Sequence, residues 1–416
     1  MTTCTGTALD LRRRSPSLDS PARRPAAPAR ASASGFPAPL RVALFSGNYD
    51  CVRDGANQAL NRLVAHLLLQ AGADVRIYSP TGAKPAFVSV GEVRSVPSLP
   101  IPGRSEYRLA LGLTHGARRD LERFRPDVVH VSAPDLLGRQ AQGWARRRGI
   151  SVVASLHTRF ETYLDYYRLS MLRGAVERYL DRFYLASDRV LVPNAGMAEE
   201  LAPRYGGARV AVWGRGVDRT LFHPSLRSEA LRRRLGYAPG DVVPLFFGRL
   251  VKEKGLGIFA GTIDRIRAQG LAVRPLIIGK GPEGGWLAER LPEARFLGHL
   301  SGRELGAAVA SADLLINPSV TEAFGNVNLE AMASGLAIVS ADVTSASALI
   351  AHGRTGLLVG DVSADAFARA ALALVRDGDL RRRLGVAASV AADDFSWEAC
   401  LSGVVDEYRA LLDPIG

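Results

Sequence analysis

From residue 41 onward, short apolar runs alternate with longer stretches in which apolar residues recur every three or four positions. Runs of this kind read as strands buried on both faces and the stretches between them as amphipathic helices, which predicts parallel sheets built from β-α units. "RVALFSG" predicts the first strand, Ala56 to Gln70 a helix closed by Gly72, and "DVRIYS" the second strand. "RPDVVHVSAP", "GISVVASLHT" and "DRVLVPN" continue the series and complete one doubly wound domain near residue 215. Gly214, Gly216 and Pro224 then punctuate the chain. A second series follows in "DVVPLFFGRL", "VRPLIIGKG", "ARFLGHL", "ADLLINPS" and "LAIVSAD", each run preceding a helix-compatible segment.

The pattern therefore predicts an α/β protein with two similar Rossmann-like domains in tandem, over residues 39–215 and 216–393. Ligands of such sheets bind beyond the carboxyl ends of the strands, so two facing domains make a cleft lined by strand-end loops. Candidate residues are those that directly follow strands.

Composition narrows the classes. The 416 residues suffice for two domains, and 47% hydrophobic with 23% charged residues suits a soluble globular protein. No apolar run is long enough to span a bilayer. Cys4, Cys51 and Cys400 lack any C-x-x-C spacing, which points away from a disulfide framework or zinc site and toward a reducing cytoplasm. The net charge of +12 implies an anionic partner: nucleic acid, a phospholipid surface or a phosphorylated small substrate. Nucleic acid would rest on that charge alone, since no recognition helix or zinc finger is present. Residues 1–38, rich in Pro, Ala, Ser and Arg, read as a disordered basic tail without the apolar segment of a secretory signal.

Four stretches carry candidate chemistry. "GRLVKEKG" follows a strand and places Gly248, Arg249 and Lys254 at the cleft mouth, as binding a diphosphate requires, although a charged loop is also an ordinary solvated one. "IIGKGPEG" contains G-x-G-x-x-G at Gly279, Gly281 and Gly284, which raises a dinucleotide-binding alternative. The acidic residue that fingerprint needs is missing, because Gly298 and His299 end the next strand. In "TEAFGNVNLEAMASG", Glu322 and Glu330 would lie about 12 Å apart along one continuous helix. If Gly325 instead closes a loop and a helix starts near Asn326, both carboxylates flank a positive helix end, where each can accept hydrogen bonds from a polyhydroxyl ligand. Taken singly, each glutamate reads equally as a surface charge. His157 ends a first-domain strand in "SLHT", and the stretch after it, to Tyr184, suits either a membrane surface or core packing with a basic outer face. "DGD" at Asp377 to Asp379 reads as a polar turn.

The G-R-x-x-x-x-K-G loop, the E-x7-E with Phe324 and Gly325, the "RGVDRTLFHP" linker and the late "FSWEACLSGVVDEY" together resemble glycosyltransferase family 4, over roughly residues 41–412. The linker and the "SLHT…YLDYY" region look most like bacterial α-mannosyltransferases and lipid sulfoquinovosyl- or glucosyltransferases. The resemblance implies a GT-B fold, a retaining transferase, no metal, and a nucleotide sugar used as substrate with no separate cofactor. GDP-mannose is the first expectation for the donor, and a UDP-sugar the rival. A lipid or glycan acceptor, and contact with an anionic membrane from the cytoplasmic side, are also implied. Arg249 and Lys254 would hold the diphosphate, Glu330 the ribose, and Glu322 the donor sugar with Phe324 and Gly325 beside it. His157 would reach the sugar from the other domain, Gly55 would line the cleft, and residues 394–416 would form a helix crossing back. One departure stands out: "VTSASALI" replaces the glycines and acid usual after the strand "LAIVSAD". Outside this class stand an NAD-dependent oxidoreductase, a sugar epimerase of the same fold and a catalytically silent sugar binder.

Overall fold

The computed structural model describes residues 39–52, 55–82, 85–101, 104–157, 171 and 173–413. The expectation for the tail falls outside them, as does the one for most of the stretch after His157. The first half contains β1 (Arg41–Phe45), β2 (Asp74–Ser79), β3 (Glu92–Ser95), β4 (Ser98–Ile101), β5 (Arg104–Ala110), β6 (Val128–Val131), β7 (Ser151–Ser155), β8 (Arg189–Val192) and β9 (Val210–Val212). The second half contains β10 (Pro244–Phe247), β11 (Leu276–Ile278), β12 (Arg295–Gly298), β13 (Leu314–Asn317), β14 (Ala337–Ala341) and β15 (Leu357–Val359).

Two all-parallel sheets result, ordered β3-β2-β1-β6-β7-β8-β9 and β12-β11-β10-β13-β14-β15, with β4 and β5 forming a separate antiparallel hairpin. Both orders run outward from a central strand and then reverse, so each sheet has a switch point, at β1/β6 and at β10/β13. The strand-end crevice opens there.

The packing explains the apolar runs. Along β1, Ala43 and Phe45 enter one core while Val42 and Leu44 enter another on the opposite face. Leu315 and its neighbours Leu314 and Ile316 divide the same way in β13. Both faces of both sheets are thus covered, which is why these strands do not alternate with polar residues. Helix starts are set by short polar caps: Asp135 accepts from the Gly138 amide, Asn194 from Met197, and Asp377 from Leu380. The "DGD" turn is such a cap.

The chain crosses between the halves twice. Val217 donates its amide to the Phe395 carbonyl at 3.0 Å, and a Cβ at Gly216 would overlap the backbone of Trp397. Only glycine lets the two crossings press together. The last helix, Trp397–Leu412, then buries Leu401, Val404, Val405 and Tyr408 in the core beneath β1 and the helix Gly55–Leu69.

Candidate active site

The second switch point gathers the charged candidates. Gly248 follows β10 with φ 142°, leaving Arg249 exposed at the strand end with no ion pair among the described residues. The chain then makes one tight turn, Lys252–Lys254, and closes it at Gly255 with φ 72°. A Cβ at Gly255 would lie 2.9 Å from Pro318, so the loops after β10 and β13 meet there. That contact aims the Lys254 ammonium at the Glu322 carboxylate, to which it donates. Ser319 adds a longer donor at 3.5 Å.

Gly279 and Gly281 do not open toward a ligand. A Cβ on either would overlap the carbonyl oxygen of Gly248 or Leu250. Backbone bonds from Gly248 to Ile278 and from Leu250 to Lys280 lock the two loops side by side. The G-x-G-x-x-G spacing is thus explained by the packing that holds Arg249 in place.

Gly325, φ 93°, ends the loop after β13, and the helix Asn326–Ala333 starts directly behind it without a side-chain cap. Its first amides are left for another acceptor. Across the cleft the helix Gly55–Leu69 begins, and a Cβ at Gly55 would sit 2.6 Å from the Asn326 side-chain nitrogen. Two helix N-termini therefore face each other, and neither has an acidic residue in its first turn. Like partial charges repel unless an anion lies between them.

Glu330 sits one turn into the second of these helices, half-buried, on the wall of a cleft of ≈ 390 Å³ also lined by Gly55, Gln58, Arg62, His299, Ser301 and Trp397. Burial, with the charge of Glu322 adding, pushes its carboxyl up to about 8. No hydrogen bond or ion pair reaches that carboxyl among the described residues. Phe324 is buried beside Gly214 of the linker.

His157 stands at the end of β7 and is held from both sides. Arg215 of the linker donates to Nδ1 at 2.8 Å, so the ring proton lies on Nε2 and is donated to Ser155 Oγ, also at 2.8 Å. The Ser155 hydroxyl in turn donates to His130 Nε2 at 3.0 Å, and His130 Nδ1 donates to Tyr408 of the last helix. Burial and then the Arg215 charge depress His157 well below the usual imidazole range, and burial alone takes His130 down to about 3. Both rings are neutral. In this arrangement His157 presents no ring nitrogen to the cleft, and its ring edge lies against Trp213 at 4.9 Å.

The structure thus brings Arg249, Lys254, Glu322, Gly325 and Glu330 to one strand-end crevice, with Gly55 opposite and His157 behind an arginine. The expectations from sequence passed over Arg215, Ser155, His130 and Tyr408. The "RGVD" stretch was the available signal for Arg215; the other three meet only in the fold. They also passed over two further ties between the domains: Asn194 donates to the Ala323 carbonyl at 3.0 Å, and the first-domain Gly196 packs against Thr344 of the divergent "VTSASALI" segment.

Comparison with known proteins agrees with this architecture. The profile "Glycosyltransferase Family 4" matches residues 54–221 and "Glycosyl transferases group 1" matches residues 241–377. A GDP-mannose-dependent alpha-mannosyltransferase of Mycolicibacterium smegmatis is 32% identical over 384 residues, covering 90% of this chain and 98% of that protein. Sulfoquinovosyl transferase SQD2 of Arabidopsis thaliana is 28% identical, covering 89% and 73%. Among solved structures, a sucrose-phosphate synthase of Thermosynechococcus elongatus superposes with a TM-score of 0.72 at 19% identity, over 90% of this chain and 100% of that one. Anabaena HepE in complex with UDP and glucose gives 0.67 at 18%, over 89% and 100%. Two paired sheets with a crevice at each switch point, a last helix that returns to the first sheet and a relative matched from end to end lead to one assignment: the chain has the GT-B fold and belongs to glycosyltransferase family 4.

Proposed function

We propose that the protein transfers a hexose from a nucleoside diphosphate sugar to a lipid or glycan acceptor, with retention at the anomeric carbon and without a metal. The observation that carries this reading is the pair of opposed helix N-termini at Gly55 and Asn326, with Lys254 tied to Glu322 in the loop that leads into the second of them and Arg249 at the end of the neighbouring strand β10. A diphosphate is an acceptor suited to such a pair of helix starts. Departure of the nucleoside diphosphate builds negative charge on the phosphates, and fixed cations and amides in a closed cleft stabilise it without reorganising. Glu330 accepts hydrogen bonds from the ribose and Glu322 from the donor sugar; Phe324 and Gly325 lie close to that sugar. In this reading His157 reaches the sugar once Arg215 releases its Nδ1.

GDP-mannose is the donor of choice because the relatives named GDP-mannose-dependent mannosyltransferases span nearly the whole chain. A UDP-sugar is the second reading, supported by the similarity to SQD2. A nicotinamide cofactor has less support, since Gly279 and Gly281 are consumed in loop packing. Thermal shifts with GDP, UDP, ADP and NAD in the presence of EDTA test all of these. A ligand at one hundred times its dissociation constant stabilises by about 2.7 kcal/mol, worth several degrees. A shift with GDP or UDP supports the proposal and selects the donor; a shift with NAD alone overturns it.

A further inference from the structure

The helix Gly55–Leu69 turns one face to the cleft over its first two turns. Gly55, Gln58 and Arg62 line one wall, and Asn326 and Glu330 of the facing helix line the other. A spacing of three and then four residues keeps the first three on a single side of their helix. Arg62 lies about 10 Å further along the axis than Gly55, and Glu330 about 6 Å beyond Asn326.

Arg62 is anchored but not satisfied. Its guanidinium carbon stands 4.8 Å from the ring centroid of Trp397, the first residue of the last helix, which lines the same cleft. The backbone of Trp397 is in turn pressed against Gly216 at the domain crossing. A cation over an aromatic face is steadied there without using any of its N–H donors. Among the described residues Arg62 has no ion pair and no hydrogen bond, and Glu330, equally unpaired on the opposite wall, does not take it. A solvated arginine needs no such anchor, whereas one stacked in a cleft wall holds its donors at a fixed place.

The two walls set three kinds of group in order: helix starts at Gly55 and Asn326, a carboxylate one turn in at Glu330, and a guanidinium two turns in at Arg62. Phosphates, ribose and base follow one another in the same order in a nucleoside diphosphate. We propose that Arg62 reads the base of the donor and selects guanine. One edge of guanine presents two acceptors side by side, O6 and N7, which a guanidinium fork meets with two parallel hydrogen bonds. Uracil offers a single acceptor, O4, on the matching edge, and adenine sets an N6 amine beside N7, so that donor faces donor. The inference rests on the reading of the cleft as a nucleoside diphosphate sugar site. It adds the residue that chooses the base, supplied by the domain that does not carry Arg249 and Lys254.

Calorimetry of the full-length protein with GDP, 7-deaza-GDP and UDP tests it. 7-Deaza-GDP keeps O6 but has a C–H where guanine has N7. The wild type binds GDP about tenfold or more tighter than either of the others, the usual worth of a bidentate contact. Arg62→Met, which keeps an unbranched apolar stem beside Trp397, binds GDP and 7-deaza-GDP alike and leaves UDP within about twofold of the wild type. Its melting temperature matches the wild type, since Arg62 is exposed on a helix. Equal binding of GDP and 7-deaza-GDP by the wild type would overturn the proposal without any variant. So would an Arg62→Met that weakens GDP and UDP by the same factor, which would place the guanidinium on the phosphates or ribose. A wild type that prefers UDP overturns the choice of guanine and leaves the transferase reading standing; one that binds no nucleoside diphosphate overturns both.

Discussion

Beyond its central strands the first sheet presents His130, Ser155 and His157, neutral and bonded to one another, whereas the second presents Arg249, Lys254, Glu322 and Glu330. Six strands of the first sheet run in the same order as the six of the second, so the contrast at the switch points lies in the strand-end residues. On the first wall each ring nitrogen is engaged, and a directed line of hydrogen bonds runs from Arg215 to Tyr408. On the second, Arg249 and Glu330 have no partner among the described residues. One wall uses its polarity to fix its own geometry, and the other keeps charge in reserve for a ligand.

Breaking the second wall should have the largest effect. Arg249→Ala or Lys254→Ala in the purified enzyme lowers turnover by about 10²-fold or more, the usual cost of removing a donor aimed at developing charge. The melting temperature of Arg249→Ala stays within about two degrees, since that side chain is exposed and unpaired among the described residues, whereas Lys254→Ala also loses stability by leaving Glu322 without its partner. Near-normal turnover in either variant would show that the charges are not held for the donor.

The first wall should fail differently. Ser155→Ala orphans the Nε2 atoms of both His130 and His157, and buried groups left unpaired cost about 1–3 kcal/mol each. The expected result is a stability loss of about 2 kcal/mol or more in denaturant unfolding, with nucleotide affinity preserved. If affinity falls while stability holds, the line of bonds serves the ligand directly and the contrast collapses.

The third prediction separates the walls by pH. Glu330, pushed up to about 8, is mostly protonated at pH 7 and mostly ionised at pH 9. Nucleotide affinity by calorimetry should therefore tighten about tenfold over that interval, and Glu330→Gln should abolish the change. A flat wild-type profile would remove Glu330 from the binding reaction.

The smallest effect lies in stability. His130 and His157 are depressed in the folded state, so their contribution is full above pH 6.5 and is lost as the pH falls, by about 1.4 kcal/mol per pH unit each. Glu330 has the opposite sign: its contribution is full below its ordinary value of 4.5 and is lost as the pH rises toward 8. The two trends offset each other in the wild type between pH 7 and 5.5. Melting curves of Glu330→Gln, from which the opposing trend is gone, should fall clearly more steeply on acidification than those of the wild type.

Much of this could be read from the chain. The tandem series and the helix start behind Gly325 follow from apolar runs and one glycine, because each is written in contiguous residues. β9 and β15 were missed because "VAV" and "LLV" are three-residue edge strands. The hairpin was missed because the sequence there carries Pro100, Pro102 and Gly103 and reads as a loop, and Asn48, which bonds the backbone of Arg108, is sixty residues away. The helix Thr344–Ser347 is a single short turn where a helix-compatible segment was expected after the strand. His130 and Tyr408 lie 278 positions apart, a pairing no local pattern encodes. The glycines of "GKGPEG" show the converse: a familiar spacing whose reason, contact with the Arg249 loop, exists only in three dimensions.

The return of the last helix to the first sheet has a consequence for biosynthesis. Leu401, Val404, Val405 and Tyr408 complete the core beneath β1, yet they follow the whole second domain along the chain. The domain synthesised first therefore keeps one apolar face open while the whole second domain is translated, and His130 waits for the Tyr408 hydroxyl. The second sheet needs no such late strap and can form its cores as its strands emerge. The order of translation and the order of completion are inverted, and until the ribosome has passed residue 408 the nascent chain exposes the surface that a chaperone would recognise.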